Sequence, residues 1–151
     1  MIYLSGDTTG QTMYLTCSRN KLLSGTVYYL FNFKHKVTNQ IWRAIPYRIP
    51  PSVSYLPAED HFNIDVNPNA AEIYTGTSIT NVNLHLIPGE YYLLVYEQTS
   101  STNLNPINSY NVVNESILRV TENITFETYD SNTGNTSNNL SEIQFKVYEN
   151  T

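Results

Sequence analysis

Cys17, three histidines and a scatter of carboxylates are the residues of this 151-residue chain whose types could do chemistry. A cysteine nucleophile needs a histidine and a third, orienting group beside it. Cys17 sits in "MYLTCSR", where apolar and polar residues alternate, and that pattern predicts a buried strand thiol. His35, His61 and His85 fall on polar or alternating positions, which predicts solvated imidazoles. Across neighbouring antiparallel strands His61 and His85 could also meet and hold a metal. Paired carboxylates would suit glycoside hydrolysis. Glu59 and Asp60 fall in a predicted loop, whereas Glu90, Glu97, Glu115 and Glu122 are scattered, so nothing selects a pair. Glu97 ends a tyrosine-rich strand and opens a polar loop, a place that suits capping of loop N–H groups better than proton transfer. No Gly-rich phosphate loop, H-E-x-x-H, C-x-x-C or G-x-S-x-G occurs. The expectation is a non-enzymatic protein with no catalytic residue, no cofactor and no metal ligand.

Composition narrows the partners. Charged residues are only 14% of the chain, against roughly a quarter in ordinary soluble domains, and Asn, Ser and Thr supply the polarity instead. The net charge is -5, and the eight Lys and Arg stand singly apart from Lys34 and Lys36. No basic stripe is available to neutralise a phosphate backbone, so nucleic acid is not an expected partner. No apolar run approaches the roughly 18 residues that cross a bilayer. The first ten residues, "MIYLSGDTTG", lack the basic and apolar regions of a secretion signal. A soluble product made in the cytoplasm, without membrane contact, is expected. One cysteine cannot form an internal disulfide.

The elements that must position these residues read as strands. "TMYLTCS" sets Met13, Leu15 and Cys17 on one face, and "VYYLFNF" sets Tyr29, Phe31 and Phe33 on one face with Leu30 on the other. "HFNIDVN" turns Phe62, Ile64 and Val66 inward, and "TNVNLHLIPG" does the same with Val82, Leu84 and Leu86. Period-two alternation with one wet face marks half-buried antiparallel strands. In "QIWRAIP", Ile41 and Ile45 are expected inward with Trp42 partly exposed. Pro88-Gly89 suits the centre of a type II turn, which predicts a hairpin from 80–87 into 91–98. A short helical turn fits 68–73, and "IPPSVSYLPAED" reads as a long extended loop. Strands without amphipathic helices between them predict an all-β, immunoglobulin-like antiparallel β-sandwich over residues 1–121. Residues 122–151 read as a C-terminal β-hairpin, with Ile124 and Phe126 facing Ile143, Phe145 and Val147. It is expected to pack on the sandwich or to extend as an arm.

Three stretches carry a resemblance: "YYLFNF" at 28–33, "GEYYLLVYEQTSSTNLNP" at 89–106 and "VVNESILRV" at 112–120. Together they resemble a family of small virion structural proteins of crAss-like and related tailed bacteriophages. The family's "GxYxYxVYEQxSxTNLxP" stretch is the long, specific part, and the likeness spans roughly residues 2–120. Asn114-Glu115-Ser116 stands where the family has a glycine, and Asn114 can supply the positive φ that a turn would need. The resemblance implies a non-enzymatic component of the virion, assembled in the host cytoplasm. It would be a capsid decoration or head-fibre piece bound to the major capsid or other virion proteins, or to copies of itself. The alternative is a tail, neck or baseplate fibre module that binds a receptor or carbohydrate, for which the tyrosine pairs Tyr28/Tyr29 and Tyr91/Tyr92 offer ring faces. The expected contact residues are Glu97, Thr99, Asn103, Leu104, Asn105 and Tyr110. In that reading Leu104 is an anchor and the loop amides donate hydrogen bonds to a neighbour.

Overall fold

The computed structural model describes residues 1–50 and 59–122. The expected hairpin over 122–151 and the centre of the proline loop lie outside the described residues. Nine strands follow in order: β1 (Ile2–Ser5), β2 (Thr8–Leu15), β3 (Tyr28–His35), β4 (Ile41–Ala44), β5 (Arg48–Ile49), β6 (Asp60–Val66), β7 (Val82–Asn83), β8 (Gly89–Gln98) and β9 (Asn111–Thr121). One sheet runs β1-β9-β8-β3-β4, and the other runs β2-β6-β5 with β7 also paired to β6. The protein is all-β, two sheets closed over one core. Pairing is antiparallel except for β1 on β9 and β7 on β6, which are parallel.

Alternation decides what fills the core. Met13, Leu15, Tyr29, Phe31, Phe33, Phe62, Ile64, Val66, Tyr91, Leu93 and Val95 are all buried in a single cluster. Phe62 of the smaller sheet meets Phe31 and Tyr29 of the larger at centroid distances of 4.9 and 5.7 Å, both edge-on. That geometry suits the ring quadrupoles and locks the sheets together. Cys17 is buried as expected, though in the turn just after β2 rather than within a strand.

Several local expectations are corrected. Residues 80–87 and 91–98 do not form a hairpin: β7 belongs to one sheet and β8 to the other. Val82, Leu84 and Leu86 are inward as the alternation requires, but period two does not say which sheet a strand joins. Residues 68–73 form a turn at Pro68–Asn69 without a helix. Trp42, opposite Phe33 in the register, packs inward while Ile41 is exposed, because β3 dictates the parity of β4. Ile45 is buried, as expected, beyond the end of β4. No turn interrupts 112–120. β9 is continuous, and Val113 is the extra residue of a bulge opposite Val95/Tyr96.

Gly89 has a different task from the expected turn. Its φ is +143°, and a Cβ there would stand 2.3 Å from His35 Nε2. His35 is buried, contrary to the solvated reading. Its Nδ1 accepts from the backbone N–H groups of Val37 (3.3 Å) and Thr38 (3.1 Å), which leaves the proton on Nε2. The imidazole thereby staples the β3–β4 turn, and it fits only because Gly89 has no side chain. Gly89→Ala combines backbone strain with a clash against a buried ring, and is expected to cost about 3 kcal/mol. Thermal or urea unfolding of the variant checks this; an unchanged midpoint would refute the packing role.

Candidate functional site

One end of the sandwich gathers the loops 16–27, 45–47 and 99–110, and β8 positions the first and the last of them. At its last two residues the strand sends Glu97 inward and Gln98 to the opposite face. Glu97 is fully buried. Its carboxylate accepts the N–H of Leu22 (2.9 and 3.0 Å) and of Leu23 (3.0 Å). The capping expected of Glu97 is present, but it serves the loop before β3 rather than the loop after β8. Glu97 therefore has no surface to offer a partner. It is a positioning residue, and the contact role expected of it is corrected.

The same loop is tied to the other sheet. Asp60, the first residue of β6, is buried, accepts the Ser18 N–H at 2.6 Å and meets Arg48 Nε at 2.6 Å. The Arg48 N–H is not aligned on the oxygen, so this contact is an ion pair more than a hydrogen bond. Asn20 Nδ2 donates to the carbonyl of Val113 at 2.9 Å, which fastens the loop to β9 as well. Two buried carboxylates thus converge on one loop, each already saturated by backbone donors or a cation. Burial and the nearby Asp60 charge push both the Cys17 thiol and the Tyr29 phenol up to about 12. At neutral pH neither is a nucleophile.

Gln98 does for the 99–110 loop what Glu97 does for its neighbour. Its buried amide donates to the carbonyls of Ser100 (2.8 Å) and Asn103 (2.9 Å) and accepts from Ser109 Oγ (3.3 Å). Ser100 Oγ accepts the N–H groups of Thr102 and Asn103, Asn103 Oδ1 that of Asn105, and Asn105 Oδ1 that of Ile107. Asn105 is the N-cap of a single 3₁₀ turn, Pro106–Asn108, with proline at its start. These bonds lie within the loop, and they engage the side-chain oxygens of Ser100, Asn103 and Asn105. Thr99, Asn105 and Tyr110 are exposed, and Asn103 and Leu104 half-buried. Ile107 is 86% exposed and Tyr110 65% exposed, while Leu22 on the adjacent loop is 80% exposed.

Sequence reasoning misses Gln98 and Ile107. The signal for Gln98 is its position: the last residue of a core strand, facing away from Glu97, before a run of Ser, Thr and Asn. Between these loops opens a cleft of about 360 Å³ lined by Tyr28, Tyr29, Tyr47, Arg48, Gly76 and Ser101, among others. The other chemistry-bearing residues do not converge. His85 Nε2 lies 2.7 Å from the Ala70 carbonyl, whereas His61 is buried with its ring against Tyr14 at 4.6 Å. Among the described residues no group of three His, Cys, Asp or Glu is placed to hold a metal. No described helix is long and apolar enough to cross a membrane.

Two variants separate the roles of the strand end. Glu97→Ala strands the Leu22 and Leu23 N–H groups and should cost about 3 kcal/mol, raising amide exchange across 17–27. Gln98→Ala should cost about 2 kcal/mol and raise exchange across 99–110 instead. Identical exchange patterns in the two would refute the division. Alkaline titration probes the buried thiol and phenol. Their folded pKa values lie above the ordinary 9.0 and 10.0, so the stability they carry is complete below about pH 9. It drains away as pH rises toward 12, and melting temperature should fall steadily over that window. A flat profile to pH 11 would contradict the burial. Comparison of the chain with protein-family models, with curated proteins and with solved structures gives no match.

Proposed function

We propose that the protein is a non-enzymatic structural component of a bacteriophage virion, a capsid-associated decoration or head-fibre piece. In this reading it attaches to the major capsid or another virion protein by the loop end of an immunoglobulin-like sandwich. The observation that carries the reading is the state of the 99–110 loop. The side chains of Gln98, Ser100, Asn103 and Asn105 hold one conformation of it, and Ile107 and Tyr110 are left outward. A preorganised loop loses little entropy on docking, so apolar anchors on it are effective. Tyrosine adds a broad apolar face with a polar tip. The stretch that resembles the phage family, "VYEQTSSTNLNP", builds this device: strand, Glu97, Gln98 and the capped loop.

The cleft favours a second reading, a tail or baseplate module that binds a carbohydrate. Tyr28 and Tyr47 beside Arg48 offer ring faces and donors at the same end of the sandwich. One experiment on particles distinguishes the two. The copy number of the protein relative to the major capsid protein is measured by quantitative mass spectrometry, for the natural chain and for Ile107→Asp with Tyr110→Ser. A capsid piece is present in hundreds of copies, and the double variant, folded with an unchanged melting temperature, falls at least tenfold. About a dozen copies, together with retention on a glycan column that Tyr47→Ala abolishes, would install the second reading. Absence from particles would overturn both.

A further inference from the structure

The cleft at the loop end is walled by segments that the fold ties down. The Ile45 N–H donates to the Tyr74 carbonyl at 2.7 Å and the Gly76 N–H to the Ile45 carbonyl at 2.8 Å, so residues 74–76 brace 45–47. Gly76 approaches so closely that a Cβ on it would stand 2.7 Å from the Tyr47 backbone nitrogen. Ser101 belongs to the loop that Gln98 holds, and Tyr28 and Tyr29 open β3. With walls fixed in this way, about 360 Å³ falls in the lower part of the size range of small-ligand sites.

Two donors of this cleft lack acceptors. Tyr29 is 2% exposed and lines the cleft, and its hydroxyl makes no hydrogen bond among the described residues. Burial first, then the Asp60 charge, pushes that phenol up to about 12, so at neutral pH it keeps the proton it can donate. Arg48 turns Nε to Asp60, and its two Nη groups make no hydrogen bond among the described residues. A buried donor left unpaired is costly, and an acceptor brought from outside relieves that cost. Asp60 balances the Arg48 charge and Glu97 is buried at the same end, so no net positive field draws a free anion. Val27 and Pro46 add apolar lining, and Tyr47 adds a ring that is 37% exposed. Resting on the carbohydrate reading of this cleft, we propose that it is the site for a neutral sugar unit that carries an acetamido group. An amide carbonyl is a stronger neutral acceptor than a sugar hydroxyl, and here it meets the Tyr29 hydroxyl and the Arg48 Nη groups. The acetamido methyl packs on Val27 and Pro46, and the C–H face of the pyranose lies on the Tyr47 ring.

Nuclear magnetic resonance titration of the ¹⁵N-labelled full chain tests it with three probes, the methyl glycosides of N-acetylglucosamine, glucose and glucuronic acid. The first should shift amide signals across 25–29, 45–48, 76 and 101, and should bind at least tenfold more tightly than either of the others. Tyr29→Phe removes a hydroxyl that the fold does not use. Its melting temperature should hold while affinity for the acetamido sugar falls about fivefold. Equal affinity for the N-acetylglucosamine and glucose probes, or a preference for the glucuronide, would overturn the acetamido assignment and leave the carbohydrate reading standing. A Tyr29→Phe variant that binds unchanged, or that melts lower, would overturn it in the same way. Absence of shifts with all three probes would overturn the assignment and the carbohydrate reading together.

Discussion

A carboxylate with no access to water must be satisfied by whatever donors the chain can bring to it. That constraint on Glu97 organises one end of this molecule. Isolated burial of an ionised group is prohibitively costly, so the 16–27 loop is obliged to turn its Leu22 and Leu23 N–H groups inward. Asp60 imposes the same demand from the opposite sheet through Ser18. The loop is thus held from both layers of the sandwich by charge-assisted bonds, which are the strong kind. The adjacent Gln98 points the other way and disciplines the 99–110 loop with a neutral amide. Two consecutive residues on opposite faces of one strand govern two loops.

The far end of the sandwich is built on a different principle. There the critical partner is an absent side chain: Gly89 lets the His35 imidazole lie against the backbone where β8 begins. The ring then serves the β3–β4 turn through Nδ1 and packs on Tyr91 at 4.9 Å. β8 is anchored at its start by close backbone approach and at its end by buried polar groups. It is also the central strand of the larger sheet, with Tyr91, Leu93 and Val95 in the core. β8 is therefore the strand on which both ends of the fold depend.

How much of this is legible in the sequence follows from what period two encodes. It reports which side chains share a face, so alternation alone assigns Met13, Phe31, Phe62, Ile64 and Leu84 to the core. It does not report pairing, so it suggests a hairpin between β7 and β8 where the chain crosses from one sheet to the other after Leu84. It is also blind to a second covered face. Leu30 and Asn32 are buried on the side of β3 away from Phe31. A polar residue on an alternating strand reads as wet, yet Asn83 is buried, with its amide on the carbonyls of Asn67, Ala70 and Ala71. The capping role of Glu97 is visible from its position at a strand end. Which loop it caps is not, because Leu22 lies 75 residues away in sequence.

The two exposed surfaces differ in the physics that would make them sticky. At the loop end, Leu22, Ile107 and Tyr110 project from segments whose hydrogen bonds are already made. A contact made there would be driven by apolar burial, with little dependence on salt. On the outer face of the larger sheet, Lys34, Arg43 and Arg119 stand by register among Tyr3, Tyr92, Ile41 and Ile117. A contact made there would weaken as salt screens the charges. The flank is flat and regular because it is a sheet. The end is shaped by loops, which the buried polar pair at the close of β8, together with Asp60 and Asn20, fastens to the sheets beneath them.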